Sequence, residues 1–215
     1  MTILKYFIWL LVIFLTESLL AGDFTLQTGD LLFQLGKSSG LNDAIAEVTA
    51  NKDSIAYTHV GIVFVENDSV FVIEATIPEV CQTPVDSFLY QSAKIDGRPI
   101  VMVARLKPEY RKLIPQAVEN ARKKIGKPYD YVYDPDNEAY YCSELIYLSF
   151  CDEEGKPIFP SLQMTFRDAA GYFPEYWIKH FKKYQAEIPE GREGTNPAEL
   201  AKSDVLELVY RYFSR

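Results

Sequence analysis

Two neighbouring segments rich in β-branched and aromatic residues limit most strongly what this chain can fold into. They are residues 58–65 and 70–75, and the polar stretch 66–69 separates them. Such residues favour strands, and two strand-like runs joined by a short polar link are typical of a β-hairpin. The sequence therefore predicts two antiparallel strands with a tight turn between them.

The predicted hairpin carries a histidine and a glutamate whose relative position depends on the turn. Side chains alternate between the two faces of a strand, so a loop of two or four residues places His59 and Glu74 on one face, whereas a three-residue loop separates them. A two-residue loop at Glu66-Asn67 puts them directly opposite, and a four-residue loop at 66–69 puts them one diagonal step apart. Each needs a polar partner in an apolar strand, which favours a contact between them. An ordinary hydrogen-bonded core histidine is the alternative.

Strand-like and helical patterns are unevenly distributed along the rest of the chain. Apolar strand-like runs lie at 31–33 and 100–106, and helical patterns lie at 42–49, 114–125, 142–150, 176–184 and 195–213. Because strands lie mainly before helices, we expect an α+β fold with an antiparallel sheet packed against helices. The prediction is one domain over residues 22–215, with the last helix as a helical C-terminal extension.

Composition and charge narrow the classes of partner. With 215 residues, 48% of them hydrophobic and 24% charged, the chain has the size and balance of one globular domain. The formal net charge is -8, and basic residues form only short pieces such as 122–124. A nucleic acid is therefore not an expected partner. The sequence does not indicate an oligomeric state.

The first 21 residues predict export from the cytoplasm. Lys5 precedes an uncharged apolar run at 6–15, and Ala21 follows a short polar piece. This order is typical of a secretory signal peptide, and the apolar run is shorter than the roughly 20 residues that a membrane-spanning helix needs. We therefore expect cleavage near Ala21 and a secreted or periplasmic, envelope-associated protein. An uncleaved membrane anchor is the alternative.

Export would place the three cysteines in an oxidising compartment. They are Cys81, Cys142 and Cys151. An odd number leaves at least one thiol free or in an intermolecular bond. If two of them pair within the chain, the predicted bond joins Cys81 to Cys151.

Cys142 stands where the chain changes from turn to helix. The segment 134–137 is rich in helix breakers, and the helical pattern 142–150 follows it. Cys142 is therefore expected in the first helical turn, where free backbone N–H groups favour the nucleophilic thiolate. A buried structural cysteine is the alternative.

A cysteine nucleophile needs a base and a third polar group that orients the base. The chain has two histidines, His59 and His180. His180 lies among lysines, which favours a solvated helix face, so His59 with Glu74 is the candidate pair. Two distant histidines and scattered cysteines lack the spacing of metal ligands, and no metal or other cofactor is expected.

Five short motifs lie at 29–33, 58–62, 74–75, 126–130 and 141–145. In this order and spacing they resemble the YiiX-like branch of the circularly permuted NlpC-type, papain-like cysteine hydrolases. The resemblance implies a circularly permuted papain-like fold in which Cys142 is the nucleophile, His59 the base and Glu74 the residue that orients the base. It also implies a substrate-binding role for Tyr129, which lies 13 positions before Cys142. In unpermuted relatives, such a tyrosine lies beside the reacting carbonyl.

Two acidic residues near these motifs have other expected roles. Glu144 stands where unpermuted cell-wall peptidases usually have glycine, so the substrate preference of those enzymes is not carried over. Glu144 is expected to be an anion at the helix start, where the helix dipole favours negative charge. Asp30 is expected to be a turn residue, not a substitute for Glu74.

The resemblance implies a cysteine hydrolase of the amidase or peptidase type that works through a thioester on Cys142. The expected substrate is a small molecule, a peptide or a lipid-like compound, namely a cell-envelope peptide, an amino-acid amide or a lipid-like acyl compound. Two alternatives stay open. One is an acyltransferase that passes the same thioester to an alcohol or amine, and the other is a binding module that has lost turnover.

Overall fold

The computed structural model describes residues 24–49 and 55–214 of the chain. The predicted signal peptide, residues 1–21, lies outside the described residues. In chain order the elements are β1 (Leu31–Gln34), α1 (Gly40–Thr49), β2 (His59–Glu66), β3 (Ser69–Ala75), β4 (Val80–Pro84), α2 (Val85–Tyr90), β5 (Lys94–Ile95), β6 (Arg98–Pro99), β7 (Val101–Leu106), a 3₁₀ helix (Pro108–Leu113), α3 (Ile114–Arg122), α4 (Cys142–Tyr147), β8 (Leu162–Gln163), α5 (Glu175–Lys183), β9 (Glu193–Gly194), α6 (Pro197–Leu200) and β10 (Leu206–Arg211). Within the described part of the chain, no helix has both the length and the apolar character needed to cross a bilayer.

A six-stranded antiparallel sheet forms the centre of the structure. Its strand order is β10-β7-β1-β2-β3-β4, and every neighbouring pair is antiparallel. The three apolar residues of β1, Leu31, Leu32 and Phe33, are fully buried because both faces of the sheet are covered. The larger core includes residues of α1, α3, α4 and α5, and a smaller core on the other face includes residues of α2. The predicted α+β class with an antiparallel sheet packed against helices is confirmed.

The predicted hairpin is formed by β2 and β3, and its turn consists of Asn67 and Asp68. Both turn residues have positive φ, 49° and 63°, which Asn and Asp tolerate better than most residues. Val65 pairs with Val70, which is the register expected for a four-residue loop. Glu66 and Ser69 also pair in the same register, so the loop that remains has two residues. His59 therefore lies one diagonal step from Glu74.

The predicted C-terminal helical extension is wrong. Asn196 does cap a helix, because its side-chain oxygen accepts a hydrogen bond from the backbone N–H of Glu199 at 2.8 Å. However, α6 ends at Leu200, and the chain returns as β10 to pair with β7 at the edge of the main sheet. The register shifts between Leu208 and Tyr210, so one extra residue interrupts the strand. This bulge disrupts the two-residue period and gives the apolar residues a helix-like spacing.

Candidate active site

Cys142 is the first residue of α4 and is buried, with 4% of its surface exposed. Tyr141 before it has extended backbone (φ -94°, ψ 166°), so the helix begins at Cys142, and its predicted place in the first turn is confirmed. The segment before α4 is shaped by the buried carboxylate of Asp130, which accepts hydrogen bonds from the backbone N–H groups of Val132 at 2.9 Å and Asp134 at 2.7 Å. The helix ends at Tyr147, earlier than the pattern at 142–150 predicted.

His59 and Glu74 form an ion pair next to this helix start. Nε2 of His59 donates to Oε2 of Glu74 over 2.5 Å. Glu74 is almost fully buried, and the side chain of His59 is 15% exposed. Since Nε2 is engaged with Glu74, the other ring nitrogen of His59 is the one left for Cys142. A carboxylate on one ring nitrogen fixes both the tautomer and the orientation of the ring.

The ionisation of His59 is controlled by its two partners. Burial lowers the pKa of His59, but hydrogen bonds to Cys142 and Glu74, together with the negative charges of both, raise it from 6.5 to about 10. Burial also disfavours the charged form of Glu74, yet the hydrogen bond and charge of His59 lower the pKa of that carboxyl overall. The site therefore favours a His59 imidazolium placed between the Glu74 carboxylate and Cys142. The structure brings the three predicted residues together.

Gly61 makes room for this pairing. The β2–β3 register places Ile62 opposite Ile73, and one residue further along Gly61 lies opposite Glu74. A Cβ on Gly61 would overlap Cγ1 of Val72 and would lie 3.3 Å from Cβ of Glu74. Without that Cβ, the side chain of Glu74 can reach diagonally to His59.

Tyr129, for which the family resemblance implies a substrate-binding role, lines the same pockets as Cys142. It is 6% exposed, and burial, followed by the charges of Tyr133 and Cys142, raises the pKa of its phenol. Tyr129 thus stays a neutral hydrogen-bonding group at working pH. Its backbone N–H donates to the carbonyl of Pro78 at 2.9 Å, which ties it to the loop after β3.

Two pockets of different character meet at Cys142. The first spans about 570 Å³, counting the open solvent at its mouth, and has a mostly apolar lining: Ile45, Val48, Thr49, Tyr129, Tyr133, Tyr141, Cys142, Ser143, Leu162, Met164, Thr165, Phe166, Trp177, Thr195, Asn196 and Pro197. The second spans about 680 Å³, again with the open solvent at its mouth, and has a more polar lining: Gln34, Gly36, Ser39, Leu41, Asn42, Ile45, Thr58, His59, Ala75, Thr76, Ile77, Gln91, Tyr129 and Cys142. We call them the apolar pocket and the polar pocket. Cys142, Tyr129 and Ile45 belong to both, so the thiol lies at their junction.

The structure corrects the expectation for Glu144. The residue is buried, 5% exposed, and its carboxylate accepts a hydrogen bond from the backbone N–H of Tyr141 at 3.4 Å. Burial, and then the charge of Asp130, raise the pKa of Glu144 to about 8. At neutral pH this group is therefore mostly protonated and is not the helix-start anion that its position in the sequence suggested. Asp30 agrees with the prediction of a turn residue, because it accepts from the backbone N–H of Gln27 at 2.8 Å.

His180 does not lie on a solvated helix face. It is half-buried among aromatic rings, stacked on Tyr176, and its Nε2 lies 2.6 Å from the carbonyl oxygen of Tyr131. Burial lowers the pKa of His180, so a neutral ring donates this bond. Of the lysines around it in the sequence, Lys183 is one turn later on the same side of the helix, and its charge also lowers the pKa of His180.

The sequence missed two residues of β4 that lie next to Glu74. Cys81 pairs with Glu74 across β3 and β4, and its Sγ lies 3.5 Å from Oγ1 of Thr83. Thr83 also contributes to the lowered pKa of Glu74. Neither neighbour was predicted from the sequence, because only the β3–β4 register places them beside Glu74.

All three cysteines are free thiols, so the conditional bond between Cys81 and Cys151 is not formed. Cys81 lies on the edge strand β4, whereas Cys151 follows α4 and forms an isolated bridge with Pro157. Across residues 24–49 and 55–214, no group of three His, Cys, Asp or Glu side chains is placed to hold a metal ion.

Comparison with known proteins agrees with this architecture. Residues 25–210 match a family model described as permuted papain-like amidase enzyme, YaeF/YiiX, C92 family. The uncharacterized protein YiiX of Escherichia coli (strain K12) is 26% identical over 182 residues, which cover 84% of this chain and 84% of that protein. The crystal structure of the protein described as metalloprotein YiiX from Escherichia coli O157:H7 aligns with a TM-score of 0.72 at 23% identity, over 89% of this chain and 100% of that chain. The predicted circularly permuted papain-like fold is confirmed, and the chain belongs to the YaeF/YiiX family of permuted papain-like amidases.

Proposed function

We propose that this protein is a cysteine hydrolase that cleaves an amide or ester bond through a thioester on Cys142. The observation that carries the proposal is the linked series of Cys142, His59 and Glu74. Burial alone would keep His59 and Glu74 neutral, yet their contacts favour the charged forms of both. A pKa shifted by specific partners beside a pocket is typical of a catalytic site. Membership of an amidase family supports an acyl-transfer reaction of this type.

In the first half of the reaction, the Cys142 thiolate attacks the carbonyl carbon of the substrate. The carbonyl π electrons move to oxygen, and the backbone N–H of Cys142 donates a hydrogen bond to this oxyanion. The C–N or C–O bond then breaks as His59 gives its proton to the departing amine or alcohol. Glu74 holds the imidazole in place and stabilises its charged form before that transfer.

In the second half, water enters the position that the leaving group has vacated. Neutral His59 takes one proton from water while the oxygen bonds to the thioester carbon. Cleavage of the C–S bond releases a carboxylic acid and restores the Cys142 thiolate beside a protonated His59.

The two pockets support an assignment of the substrate's halves. Apolar side chains beside the thiol suit a lipid-like acyl group, and the polar pocket that contains His59 suits a polar leaving group, because His59 is the proton donor to that group. Together the pockets favour a lipid-like acyl amide or ester over a cell-wall peptide. Such a compound in the cell envelope would fit the export that residues 1–21 predict.

Acyl transfer is the second candidate reaction, and one observation favours it. Cys142 is 4% exposed, and the polar pocket beside it is large enough for a bound alcohol or amine, which would compete with water for the thioester. In that case the acyl group would leave on the acceptor, and no carboxylic acid would form. The remaining alternative is a binding protein that keeps the fold but has lost catalytic activity. The presence of Cys142, His59 and Glu74 counts against it.

Product analysis by mass spectrometry tests the proposal and separates the candidates. The protein is incubated with lipid extracts, amino-acid amides and peptidoglycan fragments, with and without added alcohols and amines. We expect free carboxylic acid from acyl lipids, no product from Cys142→Ala, and normal product from the control variant Cys151→Ala. Acyl esters or amides of the added acceptors would instead identify a transferase. Cleavage that survives in Cys142→Ala would contradict the assignment of the nucleophile.

A further inference from the structure

Four buried polar groups in the wall of the apolar pocket lack hydrogen-bond partners among the described residues: the hydroxyls of Tyr133, Ser143 and Thr195 and the indole N–H of Trp177. Two of them, on Ser143 and Trp177, belong to residues that are fully buried. Both line the apolar pocket together with Cys142. They come from different elements, since Ser143 belongs to α4 and Trp177 to α5. Buried polar groups are nearly always paired, so four unpaired ones in a single pocket need an explanation.

The position of Ser143 in its helix explains why its hydroxyl makes no hydrogen bond to a backbone carbonyl. A buried serine inside a helix usually donates to the carbonyl four residues earlier, and Ser149 does this with Leu145 at 2.5 Å. Ser143 is the second residue of α4, so the residue four positions earlier lies before the helix begins. Its hydroxyl therefore has no helical carbonyl within reach.

On α5, the indole N–H of Trp177 is unpaired, whereas the ring of the nearby His180 is hydrogen-bonded. His180, one turn later, is paired through Nε2 with the carbonyl of Tyr131 at 2.6 Å. The indole of Trp177 instead packs against rings, with centroids 5.0 Å from Phe166 and 5.9 Å from Tyr133. An indole nitrogen can only donate a hydrogen bond, so an acceptor is what it lacks.

The hydroxyls of Tyr133 and Thr195, the other two of the four, each lie next to the hydroxyl of a tyrosine. Tyr133 lies next to the phenol of Tyr129. Thr195 lies next to the phenol of Tyr141, which accepts from the backbone N–H of Thr195 at 3.1 Å. Ser143 and Trp177 are therefore the two groups left for a ligand.

We propose that the acyl half of the substrate carries a neutral oxygen acceptor, bound in the apolar pocket by the hydroxyl of Ser143 and the indole N–H of Trp177. This inference rests on the proposed function. The lining of the pocket contains no Lys, Arg, Asp or Glu, so a charged group would be buried there without a partner. An ether, hydroxyl or amide carbonyl oxygen in an otherwise apolar acyl chain would supply the acceptor that both donors lack. A plain hydrocarbon chain would leave both unpaired.

The test is a binding measurement that does not depend on turnover. Binding of N-methyl decanamide to Cys142→Ala is compared, by titration calorimetry, with a series in which one CH₂ group at a time is replaced by oxygen. We expect one position at which the oxygen tightens binding by about 10-fold or more, because it pairs donors that the hydrocarbon leaves unpaired. Ser143→Ala and Trp177→Phe, each added to Cys142→Ala, should each reduce that preference to about 3-fold or less.

Ser149→Ala in the same background is the matched control. It also removes a buried hydroxyl, but one that is bonded to Leu145, so the preference for oxygen should be retained. If Trp177→Phe does not fold, Ser143→Ala still decides the matter. Equal affinities across the series, no binding of any member, or a preference that survives in both variants would overturn the proposal. If the wild type hydrolyses acyl lipids but the binding series shows no preference for oxygen, this site is refuted and the proposed function stands. If the binding series shows the preference but the wild type hydrolyses nothing, the proposed function is refuted and this site stands.

Discussion

Gly61 lies opposite Glu74 in the β2–β3 pair, and a Cβ at this position would lie 3.3 Å from Cβ of Glu74 and would overlap Val72. Gly61→Ala should therefore push Glu74 away from His59. We expect kcat/KM to fall by about 10-fold or more, since small misplacements of catalytic groups are costly. Overpacking should also lower the free energy of unfolding by about 1–3 kcal/mol. Steady-state kinetics and urea unfolding measure the two effects.

The added substitution Val72→Ala is the control for this prediction. It removes the side chain that the new methyl group overlaps, so it should restore part of the stability and part of the activity. Wild-type kcat/KM in Gly61→Ala would mean that the space opposite Glu74 does not matter for the site.

Glu74→Gln keeps the shape of the side chain and a hydrogen-bonding oxygen but removes the charge that stabilises the His59 imidazolium. Turnover should fall by about 10² or more with the fold intact, as when the carboxylate of a catalytic triad becomes an amide. The pH profile should change as well. His59 gives a proton to the leaving group, so activity is present below its pKa of about 10 and is lost above it. Losing the carboxylate lowers that pKa.

The alkaline limb of kcat/KM in Glu74→Gln should therefore move to lower pH than in the wild type. A merely structural Glu74 would leave this limb where it is. Activity within a factor of three of wild type, at an unchanged melting temperature, would remove Glu74 from the site.

The three free thiols should differ in reactivity. Burial raises the pKa of Cys81 and of Cys151, whereas Cys142 lies beside the His59 imidazolium. At neutral pH we expect iodoacetamide to modify Cys142 first, and His59→Ala should slow that reaction by removing the positive charge. Peptide mapping by mass spectrometry gives the rate at each site. Faster labelling of Cys81 would count against Cys142 as the nucleophile.

Glu144 should make stability depend on pH in a direction opposite to that of a salt-bridged carboxylate. Its pKa is raised from 4.5 to about 8 in the folded protein, so the folded state holds the proton more tightly than the unfolded chain. This contribution is fully present below about pH 4 and is lost as the pH rises towards 8. Relative to Glu144→Gln, the wild type should lose on the order of a few kcal/mol of unfolding free energy between pH 5 and pH 9. Urea unfolding at a series of pH values measures this difference. If the unfolding free energies of the wild type and of Glu144→Gln changed with pH by the same amount, the raised pKa of Glu144 would be contradicted.

The hairpin and its charged pair could be predicted because strand periodicity, together with an even number of loop residues, decides which residues of the two strands share a face. His59 and Glu74 are on one face for any even loop, and the same apolar surroundings require a partner for each. The register could not be predicted, since it depends on which of residues 66–69 form the turn. The role of Gly61 and the position of Cys81 both follow from registers, so neither was visible in the sequence.

Other differences arise from tertiary packing that overrides local rules. The strand β10 was read as a helix because its bulge removes the two-residue period, and pairing with β7 decides its state. Glu144 was expected to be charged from its place in the helix, but burial determines its ionisation. His180 was assigned to solvent from its charged neighbours, but the aromatic cluster around Tyr176 encloses it.

The central claim is that Cys142 forms a thioester with the acyl half of the substrate, and trapping that species tests the claim most directly. The protein is mixed with a p-nitrophenyl ester of a medium-chain acid, quenched in acid within milliseconds to seconds, and examined by intact-protein and peptide mass spectrometry. We expect a mass increase of one acyl group on the peptide that contains Cys142, its decay with time as acid is released, and its absence in Cys142→Ala. An acyl group on any other residue, or release of p-nitrophenol by Cys142→Ala at the wild-type rate, would contradict the account.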